Sequence, residues 1–411
     1  MKLNQTQTDT LRELVARLNK IDGGFYKNKL GGAQIGLSDP QGDFERLPLT
    51  DKDELRGAYP LGILACGERE VVRIHSSSGT TGTPIIIPYT QRDLDDWADQ
   101  FVRCYEYAGV TAADRVHITP GYGLWTAGIG FQLGAEKLGA MTIPMGPGNT
   151  DKQLRMMTDL KSTVLTATSS FALLLAEEIE KRGIGDKIFL KRALIGSERW
   201  GDKMRKRIAS ELGVKLFDIY GLTEIYGPGI GISCEYENGM HCWDDYCYFE
   251  IVDPKTGKTV PDGESGELVI TTLRKEGAPL LRYRTHDLTR ILPGECPCGS
   301  PHPRIETLIG RTDDMVKVKG VNIYPGQIDD VLREVPGVSS EYQIMIDHLN
   351  GRDTMTLFFE TEPNVTARDV ENDVKETFKS RVGLTVVPKA VALGDLPRSE
   401  KKTRRVFDNR Y

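Results

Sequence analysis

Apolar side chains along this 411-residue chain keep two rhythms, and the points where one yields to the other mark its elements. Residues 1–19 carry Leu11, Leu14, Val15 and Leu18 on one face of a helix. The same three-to-four spacing returns at 91–107 in Leu94, Trp97, Phe101 and Tyr105. β-Branched runs at 71–75 and 85–89 flank a loop and predict a hairpin-like pair of strands. Strand and helix then alternate: strands at 115–120, 142–145, 163–167, 192–195 and 215–219, helices at 151–160, 171–181 and 202–212. Such alternation implies crossover connections and a largely parallel sheet with helices on both faces. Ligands bind beyond the carboxyl ends of strands in sheets of this kind. Two loops follow such ends: Gly196-Ser197-Glu198, and Tyr220-Gly221-Leu222-Thr223-Glu224.

From about residue 239 short strands separated by turns at 253–257 and 261–263 predict a small β subdomain. Residues 311–322 read as a linker and hairpin. A helix at 325–335, strands at 341–347 and 354–360, a helix at 366–381 and a strand at 386–393 then make a small α+β domain. The first 70 residues read as helices and loops, with Thr50 as a candidate N-cap. The expected fold class is α/β: a large N-terminal part, 1–310, of parallel sheets flanked by helices plus a small β subdomain, and a small α+β C-terminal domain, 311–411.

Composition narrows the partners. A formal charge of −6 argues against a general polyanion-binding surface, so nucleic acid is not an expected partner. No apolar run approaches 18 residues and the amphipathic start is no signal peptide, so no membrane association is expected and the chain is expected to be cytoplasmic. Seven cysteines then read as reduced thiols or metal ligands rather than a disulfide framework.

The least random stretch by composition is Ser76-Ser77-Ser78-Gly79-Thr80-Thr81-Gly82-Thr83-Pro84. Glycines let a backbone turn its N–H groups onto an anion, and hydroxyls add neutral donors that suit phosphate oxygens. The pattern is a phosphate cradle, though not of the Walker type, because Thr83-Pro84 rather than Lys-Ser/Thr follows Gly82. A plain flexible loop is the alternative. Residues 121–131 set aromatics beside glycines, leaving room for a flat ring, with Tyr122 and Trp125 the pocket candidates; close helix packing is the other reading. Cys234, His241, Cys296 and Cys298 supply four soft ligands from two loops and can close a tetrahedral structural zinc site; free thiols are the alternative.

Five segments in order, 76–84, 220–224, 283–287 (Tyr-Arg-Thr-His-Asp), 310–314 (Gly-Arg-Thr-Asp-Asp) and 398–402 (Arg-Ser-Glu-Lys-Lys), resemble the core motifs of the adenylate-forming acyl/aryl-CoA synthetases. The resemblance spans nearly the whole chain. Leu396-Pro397-Arg398-Ser399-Glu400 and 280–285 resemble its phenylacetate-CoA ligase branch. It implies an enzyme in which a carboxylic acid, here an aromatic one such as phenylacetate, reacts with ATP to give an acyl-adenylate and pyrophosphate. A mobile C-terminal domain then rotates, and coenzyme A displaces AMP to give a thioester. An enzyme that loads a carrier protein shares every ATP motif, and a non-catalytic nucleotide-binding protein is the rival of another class. A homodimer is compatible with the sequence.

Residue by residue the resemblance implies that Ser76, Ser77, Ser78, Gly79, Thr80, Thr81, Gly82, Gly196, Ser197, Glu198 and Gly221 touch ATP or AMP. It makes Tyr220 the adenine stacker, Thr223 a phosphate or acyl-carboxylate contact and Glu224 the Mg²⁺ ligand. Asp287 accepts from the ribose hydroxyls, and Arg311 donates to the same ribose or a phosphate. Lys402 neutralises charge between carboxylate and α-phosphate, with Lys401 beside it in place of the usual glycine. Asp313 is the expected hinge and Gly320 leaves space for the pantetheine arm of coenzyme A. Two departures stand out: Thr83 where many members have lysine, and His286 where glycine is common.

Overall fold

The helix Gln5–Asn19 begins where Asn4 and Gln7 cap each other's backbone, and it buries Leu11, Leu14, Val15 and Leu18 against Tyr248, Leu273 and Leu281. The computed structural model describes residues 1–77, 83–198, 200–319, 321–349, 352–398 and 405–410. It is an α/β fold with a large mixed sheet, flanking helices and a β-rich C-terminal domain. Two compact units form: Met1–Gly146 with Thr163–Thr166 and Phe217–Thr307, and Pro147–Ser162 with Ala167–Leu216 and Leu308–Tyr411.

In the first unit Val71–Ser76 and Ile86–Thr90 pair antiparallel, the expected hairpin around the Ser/Thr/Gly loop. Thr90 and Asp93 then form a capping box at the head of Gln91–Tyr107, whose predicted bounds match. Arg115–Ile118 pairs in parallel with Met141–Pro144 and with Val164–Thr168. The sheet is mixed where the sequence reading made it largely parallel. Lys215–Leu222 runs two residues past Tyr220, and Gly227–Ser233 folds straight back on it antiparallel, followed by Met240–Cys242. A four-residue connection is too short for a helical crossover, so antiparallel pairing is forced. Cys247–Val252, Gly266–Thr272 and Tyr283–Thr289 form the antiparallel meander of the β subdomain. Thr50 is not the cap expected of it. Asp51 caps Lys52–Gly57 with Glu54, while the Thr50 hydroxyl is buried and donates to the Leu281 carbonyl at 2.7 Å.

In the second unit Ser169–Arg182 and Asp202–Leu212 are the main helices outside the C-terminal domain. That domain has its own core, built from Val318, Ile328, Val331, Ile344, Phe359, Val374 and Phe378 among others. Its sheet runs Val387–Val391, Arg352–Thr361, Val338–Leu349, Val406–Asp408, antiparallel at the centre and parallel at both flanks. Pro325–Glu334 and Ala367–Val382 complete its α+β character, and Val316–Val318 with Val321–Ile323 form the predicted hairpin. The strand Val406–Asp408 was not legible, being two apolar residues inside a run of charge. Among the described residues no helix is long and apolar enough to cross a membrane.

Candidate active site

Three segments that the sequence separates by about 50 and 100 residues meet in the first unit. The Ser76 N–H and the His75 Nδ1–H, at the end of the strand entering the Ser/Thr/Gly loop, both donate to the Leu124 carbonyl, at 2.9 and 3.1 Å. Thr126, two residues on, stands 3.4 Å from Thr223, hydroxyl to hydroxyl. The base of the Ser/Thr/Gly loop, the 121–131 segment and the 220–224 segment are therefore one locus. Its tightness explains two glycines. A Cβ on Gly227 would lie 2.8 Å from the Thr126 Cβ, and one on Gly221 would lie 2.1 Å from the Gly227 carbonyl oxygen.

Tyr220 and Asp287 are both buried, and the tyrosine hydroxyl donates to Asp287 Oδ2 at 2.7 Å. Asp287 follows His286, which takes φ +64°, a left-handed value that glycine adopts without strain. His286 holds it with two nearby carboxylates, Glu267 and Asp51, each 3.5 Å from a ring nitrogen. The departure from glycine thus has a local compensation. Glu224 is buried, with the Lys52 ammonium 3.5 Å from its carboxylate.

Residues 225–228 are pinned from several sides. Tyr89 donates its hydroxyl to the Tyr226 carbonyl at 3.0 Å and Trp97 its indole N–H to the Pro228 carbonyl at 2.9 Å. Lys275 donates to the Ile225 carbonyl and lies 3.5 Å from that of Glu224, its ammonium 4.4 Å from the Tyr89 ring centre and 5.1 Å from that of Tyr226. Burial lowers the Lys275 pKa to about 8, with Asp93, Cys247 and Glu224 opposing the drop. The sequence reading missed Lys275, because a lysine between Arg274 and Glu276 looks like solvated charge. It missed His75 as well. That ring packs edge-on against Tyr89 and Trp97, and burial pulls its pKa down to about 4, so it is neutral at pH 7.

Of the pocket candidates, Tyr122 has a buried hydroxyl without a hydrogen-bond partner among the described residues, and Trp125 is half-buried. Ser77 accepts from the Ile85 N–H at 3.1 Å. Ser78, Gly79, Thr80, Thr81 and Gly82 lie outside the described residues, as do Gly320, Lys401 and Lys402. In the second unit Ser197 has φ +70°, and Glu198 accepts from the Ser169 hydroxyl at 2.9 Å and from the Ser170 N–H and hydroxyl at 3.1 and 2.8 Å. Glu198 thereby caps a helix. Arg311 and Asp313 face each other in a two-toothed pair, 2.8 Å at both teeth, so the guanidinium fork expected to reach nucleotide is engaged by the expected hinge residue.

Cys234, His241, Cys296 and Cys298 converge, their ligand atoms all within 4.8 Å of one another. Cys234 and Cys296 are 3.6 Å apart and Cys298 is 3.4 Å from His241 Nε2. A tetrahedron with metal–sulfur bonds of about 2.3 Å has sulfur–sulfur edges of about 3.8 Å, so the donor set fits zinc. The other ring nitrogen, Nδ1, sits 3.4 Å from the His302 carbonyl, the outer contact that turns Nε2 toward the thiols.

Residues 41–273 match the family model described as AMP-binding enzyme, and 320–410 that described as AMP-binding enzyme C-terminal domain. Phenylacetate-coenzyme A ligase of Pseudomonas putida is 40% identical over 376 residues, 90% of this chain and 85% of that protein. The ligase of the same name from Thermus thermophilus is 39% identical across 100% of this chain and 97% of its own length. Among solved structures, 2-hydroxyisobutyryl-CoA ligase in its postadenylation state superposes with a TM-score of 0.88 at 26% identity, covering 99% of this chain and 89% of that one. The same ligase in its thioesterification state gives 0.71 at 27% identity with the same coverage.

Proposed function

Because this chain belongs to the AMP-binding enzymes, in their phenylacetate-CoA ligase-like branch, it is an ATP-dependent acid–CoA ligase, and we propose that its acid is phenylacetate or a similar arylacetate. In the first half-reaction an acid oxygen bonds to the α-phosphorus of ATP as the bond to pyrophosphate breaks. In the second the sulfur of coenzyme A bonds to the acyl carbon, its proton is lost, and AMP leaves. Such chemistry needs charge neutralisation and positioning more than covalent help.

The observation that carries this reading is the meeting of the phosphate-loop base, the 121–131 segment and the 220–224 segment around Leu124, Thr126 and Thr223. On this reading the phosphate donors and the site of the aryl ring are neighbours. We assign the ring to the Tyr122 and Trp125 segment, the acyl carboxylate or a phosphate to Thr223, adenine to Tyr220 and the ribose hydroxyls to Asp287. Lys275 and Tyr89 hold the backbone after Glu224, so the Glu224 carboxylate is presented from a fixed turn. A hard dication bridging ATP phosphates takes one or two protein carboxylates and keeps water elsewhere, and the buried Glu224 suits that need. Magnesium bound there would neutralise phosphate charge, with Lys52 free to shift onto a phosphate oxygen. Zinc on Cys234, His241, Cys296 and Cys298 would be structural, clamping the 294–302 loop to the sheet.

The C-terminal part, 311–411, is proposed to turn between half-reactions about Asp313, taking Lys402 from the acid and bringing Gly320 toward coenzyme A. Arg311 would be released to nucleotide as its pair with Asp313 opens. Acid-dependent exchange of pyrophosphate into ATP, run over aromatic and aliphatic acids, tests the assignment. Arylacetates are expected to give the highest kcat/KM, and a preference for short aliphatic acids would refute it.

A further inference from the structure

In the second unit four side chains of alternating charge stand in a row. Arg207 donates to Glu177 at 2.7 Å. Arg398 donates to the same Glu177 at 3.0 Å through Nε and 2.7 Å through Nη2, and to Glu360 at 2.7 and 2.9 Å. Arg398 is 8% exposed and Glu360 fully buried, while Glu177 is 22% exposed. Glu360 also accepts from the Leu396 N–H at 3.0 Å.

The order of this row matters more than its length. Glu177 and Arg207 lie within the matched AMP-binding region, and Glu360 and Arg398 within the matched C-terminal domain. If the C-terminal domain turns away, Arg398–Glu360 travels with it and Arg207–Glu177 stays behind. Only the middle link breaks. Removing one partner from a buried ion pair is costly because it strands a charge, and here each separating charge keeps an opposite one. A contact built this way can hold firmly and still open. Arg398 stands four positions before Lys402 in the sequence. Lys203, which donates to the Val335 carbonyl at 2.9 Å, and the Asp202–Arg333 pair at 3.0 Å join the same two regions.

We propose that Glu177 is a positioning residue for adenylation: by gripping Arg398 it latches the C-terminal domain in the orientation that presents Lys402, and it releases that domain for thioester formation. The proposal rests on the two-step ligase reading.

The test separates the half-reactions in Glu177→Gln, using pyrophosphate exchange for the first and coenzyme A-dependent consumption of synthetic phenylacetyl-adenylate for the second. A lost charged link predicts exchange slowed roughly tenfold or more, with thioester formation unchanged to within about twofold. Glu177→Asp, which keeps the charge, should restore part of the exchange. Glu360→Gln cuts the link that travels with the domain and should depress both half-reactions together with thermal stability. Equal loss of both half-reactions in folded Glu177→Gln, or no loss in either, overturns the latch. Absence of exchange in the wild type overturns the ligase reading and the latch with it; normal exchange in the wild type with an unmoved ratio overturns the latch alone.

Discussion

The Tyr220 hydroxyl is the sharpest place to probe how the nucleotide site is held. Tyr220→Phe keeps the ring that would stack on adenine and removes only the oxygen that donates to Asp287 at 2.7 Å. Both residues are buried, and a hydrogen bond to a charged acceptor contributes about 1.5–3 kcal/mol. If the hydroxyl acts by holding Asp287 for the ribose, its removal should lower kcat/KM for ATP roughly tenfold to a hundredfold, mostly through KM. The same factor should almost vanish when Tyr220→Phe is made in an Asp287→Asn background, since the partner it served is already neutral. Steady-state kinetics on the four proteins closes a double-mutant cycle, with urea unfolding as the parallel measure of stability. Coupling in kcat/KM below about 0.5 kcal/mol would mean that the hydroxyl does not act through Asp287. So would a Tyr220→Phe protein with unaltered KM for ATP.

His75 makes stability depend on pH. Its folded pKa is depressed to about 4 from 6.5, so the unfolded chain binds the proton more readily and stability falls as pH drops from about 6.5 toward 4. The full swing is roughly 3 kcal/mol, and His75→Gln should flatten that part of a stability–pH curve measured by chemical denaturation. The purified protein should hold about one zinc per chain by elemental analysis, lost from the Cys296→Ser/Cys298→Ser variant together with several degrees of thermal midpoint. Lys402→Ala should nearly abolish adenylation while sparing thioester formation from supplied acyl-adenylate, as rapid-quench assays of each half-reaction would show.

Local signals were legible where one residue type or one period could mean little else. The 3.6-residue rhythm of 91–107 gave that helix its ends, because Thr90 caps it and four large apolar residues share one face. The Cys234–Cys296 pair was readable across 62 residues of chain because cysteine is scarce and has few uses. Arginine and glutamate are common, so nothing marked Glu177 as the partner of Arg398, 221 residues away. Thr50 failed as a cap because its hydroxyl meets a buried carbonyl supplied by Leu281, which local sequence does not disclose. Lys275 failed for the same reason in reverse: its neighbours in sequence are charged, while its neighbours in space are Tyr89 and Tyr226. The turn back at Leu222 was hidden because tight antiparallel return and helical crossover differ in connection length, and the apolar run that marks the strand stops at Ile219, three residues short of its end.

Joining an arylacetic acid to coenzyme A through an acyl-adenylate leaves a distinctive set of products. The most direct measurement is product analysis by mass spectrometry of the wild-type protein with phenylacetate, ATP, Mg²⁺ and coenzyme A, and again without coenzyme A. Phenylacetyl-CoA should form with one AMP and one pyrophosphate per thioester, and phenylacetyl-adenylate should accumulate to about one per protein when coenzyme A is withheld. Release of ADP and phosphate in place of AMP and pyrophosphate, or adenylate that coenzyme A does not consume, would mean that the protein catalyses a different reaction.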